Sequence, residues 1–139
     1  MKYSKATNYA LHTMLHLVIT EPEQLVSVHQ LAELQKVSPT YLSKILTKLV
    51  KAGMIESTSG ANGGYRLSRK NPDPSFLEII HAIEGKASLF ECTQNHNSSC
   101  LIQRVMVHAE EQMEDYLNNR KMSELAAEMK AWHSSHTEK

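Results

Sequence analysis

The chain has 139 residues, 41% apolar and 22% charged, which fits one globular domain able to bury a core without disulfides and excludes a disordered or collagen-like chain. Its apolar runs are too short to span a membrane, and Thr7, Asn8 and His12 interrupt the start where a secretion signal would be apolar, so a soluble cytoplasmic protein is expected. The net charge of zero hides an asymmetry: residues 1–72 hold nine Lys or Arg against four acids (+5) and residues 73–139 six against eleven (−5), which suggests an anionic partner for the first half and another task for the second.

Tyr9, Ala10, Thr13, Met14, Leu17 and Val18 recur at helical spacing and predict an amphipathic helix over about residues 5–20, broken by Glu21-Pro22-Glu23. Ser27 suits the N-cap of a short second helix, Val28 to Gln35, with Val28, Leu31, Ala32 and Leu34 as its apolar face. Ser38 caps a third helix. Pro39 takes its first position, where the missing N–H costs nothing, and Leu42, Ile45, Leu46, Leu49 and Val50 form a buried stripe up to Gly53. Met54–Thr58 and Gly64–Leu67 read as two strands joined by the tip Gly60-Ala61-Asn62-Gly63-Gly64.

Ser75 caps a fourth helix, with Phe76, Leu77, Ile79, Ile80 and Ile83 facing inward, that stops near Gly85. Residues 91–100 are polar and read as a loop. A long helix begins at Leu101. Its apolar stripe is Ile102, Val105, Met106, Ala109, Met113, Tyr116 and Leu117, and Glu110, Glu111, Glu114 and Asp115 make an acidic face. A last helix covers about Met122 to Trp132, before a tail that frays.

Helix, short helix, tight turn, helix, hairpin is the order of a winged helix-turn-helix, so the expected class is mainly α with a small two-stranded wing and a long C-terminal helix. Residues 1–72 form the DNA-binding region. Residues 73–139 are expected to supply a linker helix, a cysteine-bearing loop and two further helices of the same continuous domain. The outer side of the third helix carries Thr40, Tyr41, Ser43, Lys44, Thr47, Lys48 and Lys51, with Tyr41, Lys44, Lys48 and Lys51 on one stripe. Lysines and hydroxyls suit phosphate contacts, and Ser43 or Tyr41 can approach base edges. The competing explanation is an ordinary solvated helix face; the hairpin and the basic half favour DNA.

The phrase Gly60-Ala61-Asn62-Gly63-Gly64-Tyr65-Arg66-Leu67, preceded by Leu49-Val50-Lys51-Ala52-Gly53-Met54-Ile55, resembles the Rrf2 family of bacterial transcriptional regulators. So do Thr7-Asn8-Tyr9-Ala10-Leu11 and Ser38-Pro39-Thr40-Tyr41-Leu42, and the resemblance covers nearly the whole chain. Members of that family include IscR, NsrR and CymR. The resemblance implies a homodimer, more often a repressor than an activator, on a roughly palindromic operator of double-stranded DNA. The third helix would enter the major groove, the wing tip would lie at the minor groove, and the long helix would cross its mate. Ser38, Pro39 and the wing residues Ser59, Gly60, Asn62, Gly63, Gly64 and Arg66 join the DNA-binding set on this basis. The family often has an arginine before the first wing glycine. This chain has Ser59 there, leaving Arg66, Asn62 and backbone amides of the tip for the minor groove.

Sensing members hold an iron–sulfur cluster with three cysteines in the loop and one further ligand. Cys92 and Cys100 stand in the first two places, Met106 in the third, and Asn8 where some members use a carboxylate. A thioether and an amide are poor substitutes for thiolate and carboxylate. Four readings stay open: a cluster of unusual ligation, a zinc or other metal site from Cys92, His96, Cys100 and His108, a thiol switch pairing Cys92 with Cys100, and a loop with two inert cysteines.

No enzyme motif emerges. The glycine-rich tip lacks the Gly-Lys-Ser/Thr ending of a P-loop and leads into a strand, and no His-Glu-x-x-His or nucleophile-elbow pattern occurs. His12 and His16, one helical turn apart, fit a half-exposed helix face better than a metal site. The alternative to redox or metal control is a regulator or interaction module governed by a protein partner.

Overall fold

The computed structural model describes residues 3–90 and 100–136, the last four by backbone alone. The elements in chain order are α1 (Lys5–Ile19), α2 (Val28–Gln35), α3 (Pro39–Lys51), β1 (Ile55–Thr58), β2 (Gly64–Leu67), α4 (Phe76–Glu84), α5 (Leu101–Asn119) and α6 (Met122–His136). This is the mainly α, winged helix-turn-helix order that the hydrophobic periodicity predicts. Cys92 and His96 lie outside the described residues.

Local chemistry sets the helix ends. Ser27 Oγ accepts the Gln30 N–H at 3.1 Å while Gln30 Oε1 accepts the Ser27 N–H at 2.9 Å, a capping box that starts α2. Ser75 and Glu78 repeat the device at α4 with the same two distances. Lys36, at φ 56°, ends α2 in the left-handed region and makes the tight turn into α3. α3 closes in a Schellman motif: Gly53, at φ +76°, donates its N–H to the Val50 carbonyl at 3.0 Å, and Met54 donates to that of Leu49 at 2.9 Å. Met54 is thereby spent on the helix end, and the first strand begins at Ile55 rather than one residue earlier.

α1, α2 and α3 share one core, in which Ala10, Met14, Leu17, Leu31, Ala32, Leu42, Ile45, Leu46 and Leu49 are buried. Ile55 from the wing, Ile79 from α4 and Met122 from α6 complete it. β1 and β2 pair antiparallel, from Ile55 opposite Leu67 to Thr58 opposite Gly64. The wing is tied down a second time through Val26 and Tyr65, which exchange backbone hydrogen bonds of 2.9 and 2.8 Å.

One expected apolar face comes out differently. Leu34 is 59% exposed rather than packed. It lies about 200° around the helix from Ala32, and α2 has only one side against the core. The long helix α5 buries no residue within its own chain. Met106, Met113 and Leu117 are half-buried, whereas Ile102 (68% exposed), Val105 (67%), Ala109 and Tyr116 face outward. α4 packs on one side of α5 only, and His81 Nε2 meets Glu114 Oε2 there at 3.5 Å.

One carboxylate reaches far along the chain. Glu84, the last residue of α4, accepts hydrogen bonds at Oε2 from the Ser4 N–H (2.7 Å), Ser4 Oγ (3.0 Å) and Thr7 Oγ1 (2.6 Å). It does at α1 what a local cap does elsewhere. The Thr7 hydroxyl, then the Ser4 amide, hold its carboxyl below the usual carboxylate range.

Candidate nucleic-acid interface

The Ser38 Oγ accepts the Tyr41 N–H at 3.1 Å and Pro39 fills the first turn, so α3 starts where its sequence says it should. Leu42, Ile45, Leu46 and Leu49 are buried, which fixes the rotation of the helix. Thr40, Tyr41, Lys44, Thr47, Lys48 and Lys51 then face solvent, with Ser43 half-buried among them. The structure brings together every residue that the sequence reading placed on this stripe. Tyr41 is held from the side by Tyr9 of α1, ring centroids 5.8 Å apart and planes at 82°, an edge-to-face contact. Thr47 Oγ1 donates to the Ser43 carbonyl at 2.9 Å, which spends its proton and leaves lone pairs outward.

At the wing tip, Ser59, Gly60 and Asn62 are exposed, and the Gly63 N–H closes the turn on the Gly60 carbonyl at 3.0 Å. A Cβ on Gly63 would overlap the Thr58 carbonyl oxygen, so the tip admits only glycine there. Gly64 sits in the ladder opposite Thr58. Arg66 is not at the tip. It lies further down β2, directly across from Glu56, and its Nε meets Glu56 Oε1 at 3.4 Å. Glu56 also accepts the Arg69 N–H at 2.9 Å; that bond, followed by Arg66, keeps its carboxyl below the usual range. The guanidinium is engaged at the base of the wing, leaving Ser59, Asn62 and the amides of the tip foremost.

A cleft of about 330 Å³ opens between the wing and the start of α2, lined by Ser27, Ser57, Thr58 and Ser59. Of these four hydroxyl residues the sequence reading places only Ser59 in the DNA-binding set. The run of three hydroxyls, Ser57-Thr58-Ser59, leading into a glycine tip is the signal that was available.

Residues 3–128 match the family model described as "Iron-dependent Transcriptional regulator", Rrf2. The chain belongs to the Rrf2 family. The Rrf2 protein of Nitratidesulfovibrio vulgaris is 31% identical over 130 residues, 90% of this chain and 87% of that one. The HTH-type regulator NsrR of Shouchella clausii is 30% identical over 102 residues, 73% and 68% of the two chains. In structure, the global cysteine regulator CymR of B. subtilis superposes with a TM-score of 0.77 at 25% identity, covering 91% of this chain and 97% of CymR. As an Rrf2 protein, the chain is a DNA-binding transcriptional regulator and not an enzyme. No described helix is long and apolar enough to cross a membrane.

The donor set of this Rrf2 chain departs from three thiolates. Two thiols, Cys92 and Cys100, and the Met106 thioether stand where the pattern has three thiolates. Cys100 is the N-cap of α5, its Sγ accepting the Gln103 N–H at 3.5 Å. His108 lies further along the same helix, where Gln112 Nε2 meets its ring Nε2 at 3.2 Å. Among the described residues no three His, Cys, Asp or Glu side chains converge as metal donors.

Proposed function

We propose that two copies of this chain bind one roughly palindromic operator and repress the gene behind it. The observation that carries this reading is α3 itself: its apolar face is consumed by the core, and its outward face is a stripe of Tyr41, Lys44, Lys48 and Lys51. A helix so locked cannot roll to bury that stripe. Each α3 enters a major groove, with Lys44 and Lys48 on phosphates and Ser43 and Tyr41 near base edges. Ser59, Asn62 and the amides of the tip approach the adjacent minor groove, and the cleft hydroxyls of Ser27, Ser57 and Thr58 take phosphate oxygens beside it.

The uncovered face of α5 supports the homodimer. Ile102, Val105, Ala109 and Tyr116 recur at helical spacing on the side away from α4. Burying that face on its twofold mate removes apolar surface from water and sets the distance between the two α3 helices. Half-sites about 34 Å apart tolerate little error in that distance.

Control enters where α5 begins. Oxidation of Cys92 and Cys100 by peroxide, two thiols giving up two protons and two electrons while peroxide becomes water, would tie the Cys100 sulfur into a disulfide and disturb the cap of the dimer helix. Sedimentation of the chain with a palindromic duplex tests the central reading. Two chains per duplex, with affinity falling steeply in salt, is the expected result; one chain per duplex, or salt-indifferent binding, overturns it. Equal operator affinity of wild type and Cys92→Ser/Cys100→Ser, with and without peroxide, removes the thiol step alone.

A further inference from the structure

A hollow of about 560 Å³ lies where the end of α1 meets α2, and nothing in the DNA-binding reading uses it. Its apolar lining is Ile19, 43% exposed, and Leu34, 59% exposed, with Val26 at the floor. Leu34 is the residue whose periodicity places it in the core and which the fold leaves in water. Ile19 and Leu34 come from two different elements and face the same hollow, which gives a partner two apolar points to cover.

The charges around the hollow identify what covers it. Residues 1–72 contain only four acids, in a half that carries net +5. Glu56 is engaged by Arg66 and Arg69. Glu21 and Glu33 both line the hollow, and Glu23 is exposed in the same loop as Glu21. Neither Glu21 nor Glu33 forms an ion pair among the described residues, and no Lys or Arg lines the hollow. DNA is excluded by repulsion between these carboxylates and phosphates. A second copy joined by a twofold axis here would set Glu21 and Glu33 against their own like charges.

We propose that this hollow docks a cationic, apolar-anchored segment of a protein partner, a short amphipathic stretch with leucine-like anchors between lysines or arginines. The anchors cover Ile19 and Leu34. The lysine or arginine stems lie over the remaining apolar wall and bring their charges to Glu21 and Glu33. Because the hollow lies outside the Tyr41–Lys51 stripe, the partner is held without displacing the operator, and this inference stands whether or not the dimer does.

The test uses the full chain and two synthetic helical peptides with identical leucine positions, one filled with lysine and one with glutamate. Calorimetric titration, with amide shifts mapped by NMR, is expected to show saturable binding of the lysine peptide only, weakened by salt, with shifts centred on residues 16–34. Leu34→Asp should weaken it about tenfold or more while operator retention stays unchanged. Glu21→Lys with Glu33→Lys should turn the preference toward the glutamate peptide. Equal binding of both peptides, binding of neither, shifts centred on α5, or self-association of the wild type lost in Leu34→Asp would each overturn the proposal.

Discussion

α3 and α5 are both amphipathic helices, and the fold treats them in opposite ways. α3 has its leucine stripe sealed by α1, α2, α4 and the wing, so what remains outside is lysine and hydroxyl. α5 rests on α4 by one edge, so what remains outside is Ile102, Val105 and Tyr116. Periodicity reports only that a helix has an apolar side; the neighbours decide whether that side is finished within the chain. One helix is thus left fit for a polyanion and the other for another apolar surface.

The sharpest way to break this contrast is Ile102→Asp with Val105→Asp. Those side chains are already in water in the single chain, so the chain should still fold, while the concentration-dependent part of its thermal stability, which the dimer supplies, is lost. Joined half-site binding is lost with the dimer, and operator affinity should fall by about a hundredfold or more, read by gel shift beside sedimentation. Leu46→Ala does the reverse. It empties space in the core behind α3 and should cost about 2–5 kcal/mol in urea unfolding, with no direct effect on α5.

Lys44→Ala with Lys48→Ala touches only the outward face of α3. Stability should hold, and, with two lysines lost from each of two chains, the slope of log affinity against log salt should flatten by about four. A double-mutant cycle of Tyr9→Leu and Tyr41→Leu, followed by chemical unfolding, should return a coupling of about 0.5–1.5 kcal/mol. The smallest effect is one of pH. Glu84 is held below the usual carboxylate range, so its contribution is complete above that range and is lost as pH falls through its lowered value. Glu84→Gln should flatten the acid limb of the melting curve against pH and leave the neutral region nearly unchanged.

Most of the fold was legible because its signals are local. Ser27, Ser38 and Ser75 each cap the helix they announce, and Pro39 and Gly53 bracket α3. The recognition stripe was legible for the same reason, since four buried residues at helical spacing fix what faces out. What escaped depends on the third dimension. Leu34 obeys an apolar pattern yet the fold leaves it 59% exposed, lining the hollow between α1 and α2. In sequence Arg66 groups with the wing tip, whereas the strand register sets it further down β2, across from Glu56. Nothing local in the sequence joins Ser4 to Glu84, whose carboxylate, eighty positions away, accepts its hydroxyl.

That distant carboxylate, together with Met122 in the central core, bears on where the chain can be cut. α1 starts on Glu84 and packs against α6, so the outermost parts of the sequence meet in the middle of the molecule. A fragment ending at residue 72 keeps every group proposed to touch the duplex and loses α4 and α6, whose Ile79 and Met122 complete the core behind them. Excised, it should be a collapsed, protease-sensitive chain rather than a portable reader of sequence, and long-separation closures of this kind make folding slow relative to an all-local helical bundle.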